Sequence, residues 1–346
     1  MSVMLAALHN GAGAFEPKQI ARPKLGAGEA LVRVRAAGIC GSDLLIYNDS
    51  KTPETLPAGH EVAGEVVELG KGVKGVRVGE RVAVEGIGEG RACGDCYFCR
   101  TGQWVRCLNR APSSGGGFAQ YMVRLARACH PLPDSLSWEE GALVEPLAVS
   151  IHGLRRGDMR GGETVAVLGA GNIGLTGVAA ARALGAGRVF ATARHPHQRT
   201  MALRLGADAV FSPEGDGMAK AVAEATGGLG ADLVLETVGG YTPATIEQAI
   251  AVARPQGRIV VLGGFRKPLT LDLLPPLLRE QSIIFANCYA VMDGRHEFDM
   301  AIEMIALKRA PVKQMVTHRF PLERIQEAFS AAYDKSSGSI KVQLFP

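Results

Sequence analysis

Cys93, Cys96, Cys99 and Cys107 stand within fifteen residues of one another and form a C-x2-C-x2-C-x7-C pattern. Thiolates two residues apart on a turn can share one tetrahedral ion, and a fourth from a nearby loop closes the coordination sphere. A sphere of four sulfurs leaves no open position, so a zinc ion held there is structural. Iron–sulfur clusters and redox pairs use the same residue type, but the chain has no second cluster motif to accompany either.

Three separated segments carry metal-ligand residue types of a different mix. They are Gly38-Ile-Cys40-Gly41-Ser42-Asp43, Gly59-His60-Glu61 and Leu143-Val-Glu145-Pro146. Each alone reads as a buried thiol, a structural histidine or a solvated glutamate. Their meaning rests on occurring together.

Gly169-Ala-Gly171-Asn172-Ile173-Gly174 matches G-x-G-x-x-G, follows an apolar strand pattern and opens a helical one. In that context Gly169 allows a tight turn, Gly171 admits a pyrophosphate to the backbone, and Gly174 lets helix and strand pack closely. The helix N-terminus adds N–H groups and positive dipole. An NAD site places an acidic residue about twenty positions further on. Here the corresponding run is Ala191-Thr-Ala193-Arg194-His195-Pro196, with Arg199 one helical turn later and no acid. A carboxylate would repel a 2′-phosphate, whereas a small residue makes room and arginine pairs with it. The expectation is NADP(H) in preference to NAD(H), with Arg194 as the main contact.

The elements that must hold these residues change character along the chain. Up to about residue 145, short strands such as 29–38, 62–70 and 80–86 stop at glycine, the pattern of a β-rich, barrel-like domain. From Trp138 the spacing is helical over 138–156. From Thr164 strands alternate with helices, as in TVAVLG, NIGLTGVAAARALG and RVFATA. That alternation means βαβ units and a doubly wound parallel sheet of Rossmann type. The tail leaves the pattern, with a helix at 296–309 and a last strand SIKVQLF. The expected organisation is a catalytic domain over 1–147 containing a cysteine lobe at about 91–108, a dinucleotide-binding domain over 148–287, and a return to the first domain over 288–346.

Bulk properties agree and exclude other classes. A chain of 346 residues suits two domains. The net charge of +4 is small and its basic residues are scattered, which argues against a nucleic-acid partner. No apolar run reaches the ~20 residues of a membrane span, and MSVMLAALHNGAG lacks a basic region of signal type, so it reads as a first strand. An odd cysteine count of seven, clustered as described, points to reduced thiols in the cytoplasm.

Taken in order, CGSD, GHE, the four-cysteine lobe, GGFAQY (116–121), EPLAV (145–149) and GAGNIG resemble the zinc-containing medium-chain dehydrogenase superfamily, and within it the sorbitol (polyol) dehydrogenase group. The resemblance spans essentially the whole chain. It implies a GroES-like catalytic domain beside the Rossmann-type one, and two zinc ions per chain, one catalytic and one structural. Cys40 and His60 match the two constant catalytic ligands. Glu61 matches a neighbouring carboxylate that exchanges onto the metal. Glu145 matches the third segment and reaches the ion directly or through its water. Asp43 matches the acid that orients His60, and Ser42 the hydroxyl that takes the alcohol proton. An open zinc position lowers the pKa of the substrate oxygen, and hydride passes between the substrate carbon and a nicotinamide held between the domains.

Two departures bear on substrate. Leu45 stands where many relatives carry a proton-relaying histidine. Phe285-Ala286-Asn287-Cys288-Tyr289 lacks the arginine that contacts polyol hydroxyls in the group. Ile46, Tyr47, Phe118 and Asn287 are the remaining pocket candidates, each equally readable as packing. The implied activity is an NADP-dependent dehydrogenase of a secondary alcohol, polyol or sugar-derived ketone. A threonine- or butanediol-type enzyme is the alternative, and a non-catalytic nucleotide-binding relative the remote one. The resemblance further implies a homodimer or homotetramer.

Overall fold

Strands form here where valine, alanine and leucine recur between glycines, and the glycines let the backbone turn. The computed structural model describes residues 2–346. It divides into one unit that runs to Ala148 and includes Cys288–Ala306 and Lys313–Pro346, and a second of Val149–Asn287 with Leu307–Val312. Leu307–Val312, part of the tail assigned to the catalytic domain from sequence, thus clusters with the second unit.

The first unit begins with β1 (Val3–His9), β2 (Phe15–Ala21), β3 (Glu29–Gly38), β4 (Glu61–Leu69), β5 (Arg81–Glu85), β6 (Tyr121–Leu125) and β7 (Cys129–Pro131). The second holds β8 (Thr164–Leu168), β9 (Arg188–Thr192), β10 (Ala209–Phe211), β11 (Ala231–Glu236), β12 (Ala253–Val261) and β13 (Ser282–Phe285). The returning chain adds β14 (Val291–Met292), β15 (Arg295–His296), β16 (Val316–Pro321) and β17 (Lys341–Phe345) to the first unit.

In the first unit, seven strands join in the order β16-β17-β3-β4-β5-β7, with β6 also paired to β3. The ten-residue β3 makes this possible. Its first half pairs β6 from Glu29↔Leu125 to Arg33↔Tyr121, and its last residues pair β17 at Ala37↔Leu344 and Gly38↔Gln343. The sheet therefore divides at β3 and wraps a core of Val32, Val34, Val62, Val84, Phe118 and Phe329.

The second unit is a six-stranded sheet in the order β10-β9-β8-β11-β12-β13, and every adjacent pair is parallel. All five residues of β8 are buried, as a strand covered on both faces requires. Strand order reverses beside β8, where doubly wound sheets open a ligand crevice at the strand ends.

One expected element is broken. The helical spacing over 138–156 folds as two helices, Trp138–Ala142 and Val144–Arg156, with Leu143 between them. Ser137 and Glu140 cap the first reciprocally: Ser137 N–H donates to Glu140 Oε2 (2.8 Å) and Glu140 N–H to Ser137 Oγ (3.4 Å). The break sets Glu145 in the first turn of the second helix. Among the described residues no helix is long and apolar enough to cross a membrane.

Candidate functional site

β3 and β4 bring the first two ligand segments side by side, since Gly38 pairs with Glu61. A Cβ at Gly38 would lie 2.0 Å from Glu61 Oε2, so this position has room only for glycine. Gly59 adopts φ +95°, and a Cβ there would meet the Phe118 ring at 2.7 Å. Backbone N–H groups of Gly117 and Phe118 donate to Gly59 and Ala58 carbonyls, each at 2.9 Å. The GGFAQY segment thus braces the turn that presents His60.

Cys40 caps the helix Gly41–Asp49. Asp43, in that helix's first turn, accepts the Cys40 N–H at Oδ2 (2.9 Å) and holds Oδ1 3.8 Å from His60 Nδ1. Burial lifts the Asp43 carboxyl above the ordinary carboxylate range, against the opposing pull of His60. Burial works to lower the pKa of His60, but Asp43, Cys40 and Glu145 outweigh it and leave the imidazole well above its usual value.

The ligand atoms of Cys40, His60 and Glu61 all lie within 4.8 Å of one another. A thiol, an imidazole and a carboxylate converging in this way form a donor set that fits zinc. Glu145 falls outside that mutual set. It is 4% exposed, and burial raises its pKa to about 7. Its charge is felt at His60 and at Cys288. Lys341 of β17 is wholly buried and donates to both Glu61 oxygens, at 2.7 and 2.6 Å, and to the Ile39 carbonyl at 3.1 Å. No motif near the C-terminus marks this lysine in the sequence.

Ser42 is exposed on the same helix and Leu45 is half-buried. The four pocket candidates separate. Phe118 is 0% exposed and packs edge-on against Phe15 and Phe329. Tyr47 lies against the same two rings and its hydroxyl accepts from Gln326 Nε2 (2.9 Å). Phe118 is a core residue of the wrapped sheet, and Tyr47, half-buried on its helix, packs against that core. Ile46 is half-buried and Asn287 exposed.

The four lobe cysteines also have their ligand atoms within 4.8 Å. Cys96 Sγ stands 3.4 Å from Cys99 Sγ, and Cys93 Sγ stands 3.8 Å from it. Sulfurs at ~2.3 Å from a tetrahedral zinc ion are about 3.8 Å apart, so the lobe fits that ion. Backbone N–H groups of Leu108 and Cys99 lower the Cys96 thiol to about 6, whereas burial raises Cys99 to about 12.

In the second unit β8 is followed by Gly169, whose φ is +91° and whose N–H donates to Thr192 Oγ1 (2.9 Å). Gly171 caps the twelve-residue helix Asn172–Ala183 with no side-chain cap. A Cβ on Gly174 would stand 1.6 Å from the Gly169 carbonyl oxygen. The turn, the close approach and the open helix start are those a pyrophosphate needs. β9 ends at Thr192, and beyond it Ala193 and His195 are half-buried while Arg194 and Arg199 are exposed. Thr192 and Thr237 (whose hydroxyl donates to the Leu168 and Gly169 carbonyls) also shape this loop, and no motif points to either.

Two family descriptions match the chain: an alcohol dehydrogenase GroES-like domain over residues 26–134 and a zinc-binding dehydrogenase domain over residues 172–306. The sorbitol dehydrogenase of Bacillus subtilis is 31% identical over 352 residues, covering 99% of this chain and 97% of the relative. The L-threonine 3-dehydrogenase of Pyrococcus horikoshii is 33% identical over 336 residues, with 93% of each chain covered. A Sinorhizobium meliloti 1021 protein assigned as a zinc-binding dehydrogenase, solved bound to NADP, superposes over 100% of both chains with a TM-score of 0.86 and 29% identity.

Proposed function

Because this chain belongs to the zinc-binding alcohol dehydrogenase family with a GroES-like domain, we propose that it transfers a hydride between NADP(H) and a secondary alcohol, polyol or sugar-derived ketone. The observation that carries this reading is the convergence of Cys40, His60 and Glu61 within 4.8 Å, beside the buried Glu145. We assign two zinc ions per chain, one to that group and one to Cys93, Cys96, Cys99 and Cys107.

When bound, zinc supplies Lewis acidity toward the substrate oxygen, and the nicotinamide gives or accepts the hydride. The protein's residues do the rest. Cys40 and His60 hold the ion. Glu145 completes the set, by its own oxygen or through a water, because Lys341 already engages both Glu61 oxygens. Glu61 would be free to act as a ligand only if that pair opened. Asp43 keeps His60 oriented, and Ser42, exposed in the first turn of its helix, takes the alcohol proton. With leucine at position 45 no side chain there can relay the proton, so exposed Ser42 would pass it to water or to a hydroxyl of the bound cofactor. Arg194 and Arg199, exposed beyond β9, would pair with a 2′-phosphate, and the small Ala193 would leave it room. The threonine 3-dehydrogenase likeness, at 33% identity, favours an amino alcohol or diol as the second reading.

Reduced cysteines in both metal groups suit the cytoplasm. For the assembly, we place a second copy against β13. This strand is the outer one of its sheet, and Leu274, Leu277, Leu278 and Phe285 are 58%, 71%, 75% and 66% exposed there or just before it. Unpaired edges with apolar neighbours seek cover, and light scattering on the purified chain tests for a dimer or tetramer.

The catalytic assignment is tested by Cys40→Ala and His60→Ala. Each is expected to lose well over tenfold in turnover and one zinc equivalent, while the lobe zinc stays. Retained turnover in either variant would remove the assignment.

A further inference from the structure

A third group of metal-ligand residues lies in the first unit, apart from both clusters above. Glu85 ends β5, His130 is the middle residue of β7, and His296 ends β15 in the returning segment. Their ligand atoms all lie within 4.8 Å of one another. The side chains are 0%, 8% and 10% exposed.

Hydrogen bonding leaves this group unfinished. Glu85 Oε1 accepts the Glu89 N–H at 2.5 Å. Its Oε2 faces His296 Nε2 at 3.2 Å and His130 Nε2 at 3.5 Å, within ion-pairing reach of either ring when protonated, but neither contact is a well-aligned hydrogen bond. Three buried polar atoms that converge without a well-formed hydrogen bond among them would be better satisfied by a shared cation. The outer contacts are those of a held ligand. His130 Nδ1 stands 2.8 Å from Asp299 Oδ1. A carboxylate on one ring nitrogen fixes the tautomer that leaves the other nitrogen's lone pair inward. Trp104, from the cysteine lobe, stacks over His296 with centroids 5.1 Å apart and planes at 18°.

We propose that Glu85, His130 and His296 bind a third zinc ion, which ties the returning segment to β5 and β7. Two imidazoles and one carboxylate are a recognised zinc donor set. The inference rests on the geometry of these residues and is independent of the reaction proposed above. Loading rearranges one proton. His296 Nδ1 accepts the Phe298 N–H at 3.1 Å, so in the neutral ring the proton sits on Nε2. Zinc on Nε2 moves that proton to Nδ1, and the Phe298 contact ends. The third ion is therefore held less tightly than one in the four-thiolate lobe, and protons compete for its place.

The test uses the full-length protein exposed to a slight excess of zinc chloride and then desalted. The expected result is one more zinc per chain in the wild type than in His296→Gln. A crystal of the wild type, grown without added excess, should show an anomalous peak at the zinc edge between Glu85, His130 and His296. Equal zinc content in the two proteins, or no peak at that point, would overturn the proposal. If His296→Gln fails to fold, the wild-type map alone decides. Failure of the catalytic assignment would instead remove the ion at Cys40 and His60 and leave both readouts here unchanged.

Discussion

Lys341 and Glu61 form a bidentate ion pair in which neither side chain reaches solvent, the lysine being 0% and the glutamate 1% exposed. β17 supplies the lysine and β4 the glutamate, so the pair fastens the last strand of the chain to the strand that starts next to His60. A buried carboxylate must be neutralised somewhere, and here the compensating charge comes from a residue 280 positions away in the sequence.

Removing one partner leaves the other charge buried and unpaired, which typically costs about 3–5 kcal/mol. Lys341→Met is expected to lose that much stability in urea denaturation. The double variant Lys341→Met/Glu61→Gln should recover a substantial part of it. A loss below about 1 kcal/mol in the single variant would mean that the pair is not buried as described.

Arg194 is exposed just past β9, on a stretch without an acid. Charge-assisted hydrogen bonds contribute about 1.5–3 kcal/mol each, so Arg194→Ala should raise the KM for NADP roughly tenfold to a hundredfold. The KM for NAD should stay within about twofold. An unchanged NADP value would defeat the assignment of the 2′-phosphate to this residue.

The lobe should be acid-sensitive. Cys96 is lowered to about 6 by backbone N–H groups, so its thiolate is present above that pH and is lost as pH falls through it. Metal affinity follows the thiolate. Zinc release from the lobe, followed with a chromogenic chelator, is therefore expected to accelerate below about pH 6. Release that is flat between pH 7 and pH 5 would contradict this.

Cys129 gives the opposite expectation. It is 3% exposed, and burial raises it to about 12. Alkylation at pH 8 should leave it unmodified in the folded protein and reach it only in denaturant. Modification at the rate of a free thiol would show that β7 opens readily.

Much of this architecture was legible because its signals are local. Strand 29–38 ends where Gly38 must yield space to Glu61, and G-x-G-x-x-G was readable because Gly174 lies against the Gly169 carbonyl. The ligand segments carry glycines at the turns that present them. Other features have no local signal. Leu143 interrupts a run whose spacing is helical throughout: the reciprocal cap at Ser137 and Glu140 starts a short first helix that ends at Ala142, and nothing local in the sequence marks that stop. Tyr47 and Phe118 look like pocket residues next to their motifs, but Phe118 is buried in the sheet's core and Tyr47, half-buried on its helix, packs against that core. Lys341 is 280 positions from Glu61, and His296 lies far along the chain from His130 and Glu85. Only the path of the returning segment brings such residues together.

The most direct test is turnover by zinc-loaded protein, with NADP and NAD side by side, against polyols, diols, amino alcohols and secondary alcohols, and with the matching ketones in reverse. Nucleotide reduction is expected with one of these classes, faster with NADP than with NAD, and lost in His60→Ala. No turnover in either direction with either nucleotide, from protein shown to carry zinc at Cys40 and His60, would contradict it.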